Sequence, residues 1–199
     1  MDEIPLHLRY KGDRNYLQGG DFYNRINSMA PTITGLDGAY LSQIVFRAFC
    51  RNDADICFYP PSSNNIVVGS GDCVSGENFK KKFWIIESDR LVKERYPFDE
   101  ARIVEPAAWT STTITLSLKT GYTPIEEAIA LTKALSYKTY PSVLGKWVFG
   151  QLDLKQPFQS EYGTIHIEQK TSFAGKFILN AIYQDNTFVG DIRFIVGKP

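Results

Sequence analysis

Lys11-Gly12-Asp13-Arg14-Asn15, followed by Gly19-Gly20-Asp21-Phe22-Tyr23-Asn24-Arg25-Ile26-Asn27-Ser28-Met29, carries the chain from a strand into a helix, and the fold reads outward from there. The first five residues are turn chemistry, rich in glycine, aspartate and asparagine. After Gly19-Gly20, Asp21 is a good helix N-cap, and Phe22, Tyr23, Ile26 and Met29 mark the apolar side of a short helix over 21–29, stopped by Pro31. Upstream, Ile4, Leu6, Leu8 and Tyr10 alternate with Pro5, His7 and Arg9, the period of a half-buried strand, which turns His7 away from the apolar set. Downstream, branched and aromatic residues predict strands over 41–50, 56–59, 64–70 and 78–87. Ser88-Asp89-Arg90 then supplies a turn into one more strand over 91–96.

The second half repeats this order. A β-branched strand over 112–118 leads to Gly121-Tyr122-Thr123-Pro124, where Thr123 caps a helix, Pro124 takes its first position and Glu126 completes a capping box. Ile125, Ala128, Ile129, Leu131, Thr132 and Leu135 form its apolar side, and Pro141 follows its end. Strands over 146–154, 164–169, 173–183 and 188–196 follow, the last two joined by Gln184-Asp185-Asn186 as a hairpin. Trp84 to Glu94 also matches Asn180 to Asp191 in pattern, allowing one inserted residue. Strand, helix after a glycine turn, and further strands therefore occur twice over roughly a hundred residues each, and the expectation is an α+β chain duplicated as 1–105 and 106–199. Chance similarity of two antiparallel segments is the competing explanation.

Of the 199 residues, 43% are hydrophobic and 14% aromatic, ample for a core. Lysine plus arginine balances aspartate plus glutamate at 22 each, so no overall field draws the chain to nucleic acid or an anionic membrane, and neither is an expected partner. Met1-Asp2-Glu3-Ile4-Pro5 lacks the basic and apolar regions of a signal peptide, and no apolar run approaches the ~20 residues that span a bilayer, which points to the cytoplasm. Cys50, Cys57 and Cys73 are odd in number and without CxxC spacing, the pattern of buried free thiols. Neither His7 nor His166 has a second histidine or cysteine at ligand spacing, so no metal is expected; nor is a cofactor.

A strand, a helix behind a glycine-rich turn and four further antiparallel strands resembles the hot-dog fold, in which a sheet wraps a central helix. Two in one chain resemble the tandem, or double, hot-dog arrangement. The resemblance implies two hot-dog-like repeats and an acyl-thioester ligand, acyl-CoA or acyl carrier protein, handled by a thioesterase or dehydratase; a homodimer is compatible with it. It also implies a site at the first helix, with Asp21 as base or polariser and the backbone of Gly19 and Gly20 as oxyanion donors. Tyr23 and Asn24 on that helix, Lys80 and Lys82 in the one basic run, and His166 are candidate binding residues. Each also has a plainer reading: Asp21 as a cap, Lys80 and Lys82 as guards of an edge strand, and His166 as a polar residue sharing a face with Thr164 and Glu168. The histidine-to-proline motif of hot-dog dehydratases is absent. The alternatives are a non-catalytic hot-dog protein binding an acyl chain or a protein partner, and an assembly protein using aromatics such as Tyr96, Phe98, Tyr140 and Phe158.

Overall fold

The computed structural model describes residues 3–76, 78–173 and 175–197. Met1 and Asp2 of the leader reading and Ala174 of the expected strand over 173–183 lie outside them. The chain divides into two compact units, Met1–Phe98 and Asp99–Pro199.

In the first unit the strands are β1 (Ile4–Pro5), β2 (Tyr10–Lys11), β3 (Tyr40–Phe46), β4 (Ala54–Cys57), β5 (Ile66–Ser75), β6 (Phe79–Glu87) and β7 (Arg95–Tyr96). Helix α1 (Gly19–Thr34) lies between β2 and β3 in sequence. The pairings β1 with β4, β4 with β6, β6 with β5 and β5 with β3 are all antiparallel. Helix α1 packs on β3 and β5, burying Phe22, Tyr23, Ile26, Ala30 and Ile33. Phe22 meets Phe46 with ring centres 5.5 Å apart. The short β2 and β7 pair in parallel, which brings Lys11 beside Tyr96.

The second unit holds α2 (Ala101–Val104), β8 (Ala108–Trp109), β9 (Thr113–Leu116), α3 (Pro124–Thr139), β10 (Lys146–Leu154), β11 (Ile165–Phe173), β12 (Phe177–Gln184) and β13 (Thr187–Gly197). Helix α3 begins with the expected capping box and buries Ile125, Ala128, Leu131 and Leu135 against these strands. Asp185 and Asn186 take positive φ, 46° and 66°, the conformation a two-residue hairpin turn needs between β12 and β13.

The expectation of two hot-dog-like repeats, each a helix wrapped by its own sheet, is overturned. Apart from β2 and β7, the described strands fall in one eleven-stranded sheet, in the order β1-β4-β6-β5-β3-β10-β13-β12-β11-β9-β8. Alternating periodicity marks a strand and its buried face, but strand edges bond to whatever lies alongside, so the number of sheets is not written in the pattern. The matched segments differ as well. β12 and β13 form a hairpin, whereas the chain after β6 does not return along it, and Arg90 instead joins Asp53 and Asp55 through 3.3 Å and 2.5 Å contacts.

Element boundaries also move. Helix α1 starts two residues before Asp21, with Gln18 as N-cap, and continues through Pro31 to Gly35, whose left-handed φ of 73° ends it. The expected strand over 91–96 shortens to Arg95–Tyr96. The expected strand over 173–183 is divided by the turn between β11 and β12.

Candidate functional site

Asp21 stands in the first turn of α1, two residues past Gly19, where backbone N–H groups lack intrahelical acceptors and the helix dipole favours negative charge. It does not act as the N-cap. Its Oδ1 accepts a 2.6 Å hydrogen bond from the Tyr96 hydroxyl and lies 3.0 Å from the Lys11 ammonium. Both charged side chains are nearly enclosed, Lys11 at 4% exposure and Asp21 at 10%. The Phe98 ring centre lies 4.3 Å from Lys11 Nζ and the Tyr96 ring centre 5.5 Å. An ammonium, a carboxylate and a phenol therefore converge on the start of α1, walled by aromatic rings.

Gly19 and Gly20 are the first two residues of that helix, Gly20 buried and Gly19 partly exposed. Tyr23 turns away into the core, where burial and the neighbouring Tyr40 and Cys73 push its phenol well above the usual range. Asn24 is half-buried on the same helix.

No family model matches the chain, and no curated protein does. Solved structures do match. The chain is similar to a pyran synthase domain from module nine of the sorangicin pathway, at 9% identity and a TM-score of 0.55, over 96% of this chain and 91% of that one. It is also similar to the dehydratase domain of the polyketide PpsC from Mycobacterium tuberculosis, at 7% identity and a TM-score of 0.50, over 92% and 85%. The chain has the hot-dog fold.

Within this hot-dog chain the remaining candidate residues do not converge on Asp21. Lys81 donates to the Ile33 carbonyl at 2.8 Å, which sets the basic run against the far end of α1. Twelve residues of helix separate that end from Asp21, about 18 Å at 1.5 Å per residue. Lys80 pairs with Asp72 at 2.8 Å, and Lys82 lies 5.2 Å from the Trp84 ring centre. β4 reaches along β6 only to Trp84, so Lys80 and Lys82 are paired through β5 alone among the described residues. His166 belongs to the second unit, where its Nδ1 lies 2.7 Å from the Thr115 hydroxyl and its ring faces Tyr183. His7 is mostly exposed, 3.6 Å from Asp53.

The second unit has its own enclosed carboxylate. Glu126 closes the capping box by accepting the Thr123 N–H at 2.9 Å, while fully buried Glu127 accepts from Thr120 N, Thr120 Oγ1 and the Tyr162 hydroxyl. Burial and Glu127 together push the Tyr162 phenol up. A groove of about 830 Å³ lies at the opposite end of α3, lined by residues including Tyr140, Leu144, Lys176 and Val196. Lys11 and Tyr96 are the residues sequence reasoning missed. Lys11 reads as turn and Tyr96 as a strand end, and only the parallel β2–β7 pairing joins them.

Proposed function

We propose that this hot-dog protein processes an acyl thioester, carried on coenzyme A or acyl carrier protein, by thioesterase or dehydratase chemistry at the N-terminus of α1. The observation that carries this reading is the enclosed Lys11–Asp21–Tyr96 cluster at a helix start with two glycines. The Gly19 and Gly20 N–H groups and the positive end of the helix would receive the thioester carbonyl oxygen, which gains negative charge as the carbonyl carbon is attacked. In hydrolysis, water oxygen bonds to that carbon, its proton passes to the Asp21 carboxylate, and the C–S bond breaks as that proton moves on to the leaving sulfur and releases the carrier thiol. In dehydration the same carboxylate would take a proton from the carbon beside the carbonyl and return it to the hydroxyl leaving from the next carbon, so that the C–O bond breaks, water departs and a carbon–carbon double bond forms. Lys11 and Tyr96 orient Asp21. The dehydratase and pyran synthase domains that share the fold support the reading.

A second reading is a non-catalytic hot-dog protein that binds an acyl chain or a protein partner. It is favoured by Asp21 Oδ1, which already faces both a hydroxyl and an ammonium. Both readings keep the cytoplasmic expectation; among the described residues no helix is long and apolar enough to cross a membrane.

The test is turnover of an acyl-CoA panel by wild type and by the Lys11→Met/Asp21→Asn double variant, which removes both charges together. Loss of proton acceptance is expected to cut turnover about a hundredfold to ten-thousandfold while the fold persists by thermal unfolding. Undiminished turnover in the double variant would move the chemistry elsewhere. Binding without turnover by wild type would favour the second reading.

A further inference from the structure

In the second unit, Ile192 and Phe194 of β13 are buried on the α3 side, so Asp191, Arg193 and Ile195 share the opposite face of the sheet. The Arg193 guanidinium lies over the Phe177 ring, 5.5 Å from its centre, which places Phe177 on that face too. Among the described residues Arg193 has no hydrogen-bond or ion-pair partner, and its Nε is closed off from solvent. Asp191, two residues away, likewise accepts no hydrogen bond and forms no ion pair among the described residues. It lies opposite Asp153 in the ladder, and burial, then that like charge, hold its carboxyl above the usual range. Lys155 and Lys170 act on the Asp191 carboxyl only through space, so an arginine and an aspartate stand on neighbouring rows, each without a hydrogen-bonded or ion-paired partner among the described residues.

Apolar rings flank the two charges on both sides. Past Arg193, Ile195 is 37% exposed, and Phe173, 56% exposed, stacks on Phe177 at 6.0 Å. Past Asp191, Phe188 is 36% exposed and meets Tyr183 at 5.6 Å. Along the face the order is aromatic, cation, anion, aromatic. A two-fold axis crossing β13 at Ile192, at right angles to the strand, lays each aromatic end on the other and each charge on its opposite.

We propose that this face is a homodimer contact, on which a second copy of the chain packs sheet to sheet with each Arg193 guanidinium on the partner's Asp191 carboxylate. Packed sheets stand about 10 Å apart, within reach of these side chains. A small anion would satisfy Arg193 alone, whereas a second copy pairs Arg193 and also gives the Asp191 carboxylate a direct ion-pair partner. The face is self-complementary, as an isologous contact requires.

Sedimentation equilibrium of the whole chain tests this. Wild type is expected to dimerise with rising concentration, and Arg193→Asp and Asp191→Arg, each repelling its own kind, are each expected to weaken the dimer by roughly tenfold or more. Mixing the two variants is expected to restore a heterodimer, because every contact then joins opposite charges. If either reversal disturbs the fold by circular dichroism, Arg193→Gln and Asp191→Asn replace the pair and are expected to weaken the dimer without rescue on mixing. A wild type that stays monomeric, with or without phosphate as a probe for Arg193, would overturn the proposal. So would a dimer that no variant weakens, or folded reversal variants that fail to rescue each other.

Discussion

Lys11 Nζ and Asp21 Oδ1 lie 3.0 Å apart with almost no solvent around either side chain. Taking an ammonium and a carboxylate out of water costs several kcal/mol per ion, offset only when each faces the other and remaining hydrogen bonds are met. The Tyr96 hydroxyl on Asp21 Oδ1 and the Phe98 ring against Lys11 supply part of that surrounding. The arrangement makes single and paired substitutions behave differently. Asp21→Asn removes the carboxylate that the buried Lys11 ammonium faces at 3.0 Å and is expected to destabilise the chain by about 3–5 kcal/mol. Lys11→Met/Asp21→Asn removes both charges and is expected to recover much of that loss, read as urea unfolding midpoints of the two variants and wild type. Equal losses in the single and double variants would show that the two charges are not coupled. Part of this cluster was legible beforehand: a carboxylate behind two glycines at a helix start is a local pattern. Its partner Tyr96 lies 75 positions along the chain, and no local pattern reports such a contact. The same holds for Tyr162 on Glu127, 35 positions apart.

Among the elements, legibility followed how local the cause is. Thr123, Pro124 and Glu126 are enough to start α3, and Asp185-Asn186 to turn β12 into β13, so both appear as expected. Helix α1 outran its expected stop because Pro31 sits close to its end, where Gly35 N–H closes on the Pro31 carbonyl and Lys81 reaches the Ile33 carbonyl. β5 likewise outran the expected end at Ser70. Gly71 pairs with Phe83, and a Cβ at Gly71 would meet the Gln43 carbonyl oxygen of β3 and then Phe83 Cζ at 2.5 Å. The glycine is there for the close approach of the neighbouring backbone and of a ring. Gly71→Ala is expected to cost about 1–3 kcal/mol by overpacking, measured by urea unfolding. An unchanged midpoint would show that the β3 backbone at Gln43 and the Phe83 ring both shift aside freely.

For the whole molecule, strand content and an antiparallel habit were visible in the residues, and the hot-dog fold was visible as an order of elements. The single eleven-stranded order was not, since it depends on which edges meet rather than on any segment's own pattern. The fold by itself does not choose a chemistry, because function belongs to the site. The proposed acyl-thioester ligand could sit at one of two places in this chain: the start of α1, with its enclosed Lys11–Asp21–Tyr96 cluster, or the groove of about 830 Å³ at the end of α3. The direct measurement is titration of the ¹⁵N-labelled chain with a non-hydrolysable acyl-CoA thioether, followed by amide chemical shifts. Binding at the proposed site is expected to move the Gly19 and Gly20 amide resonances first and furthest; shifts confined to Thr139–Leu144 and Gly175–Lys176, or no shifts at saturating ligand, would contradict it.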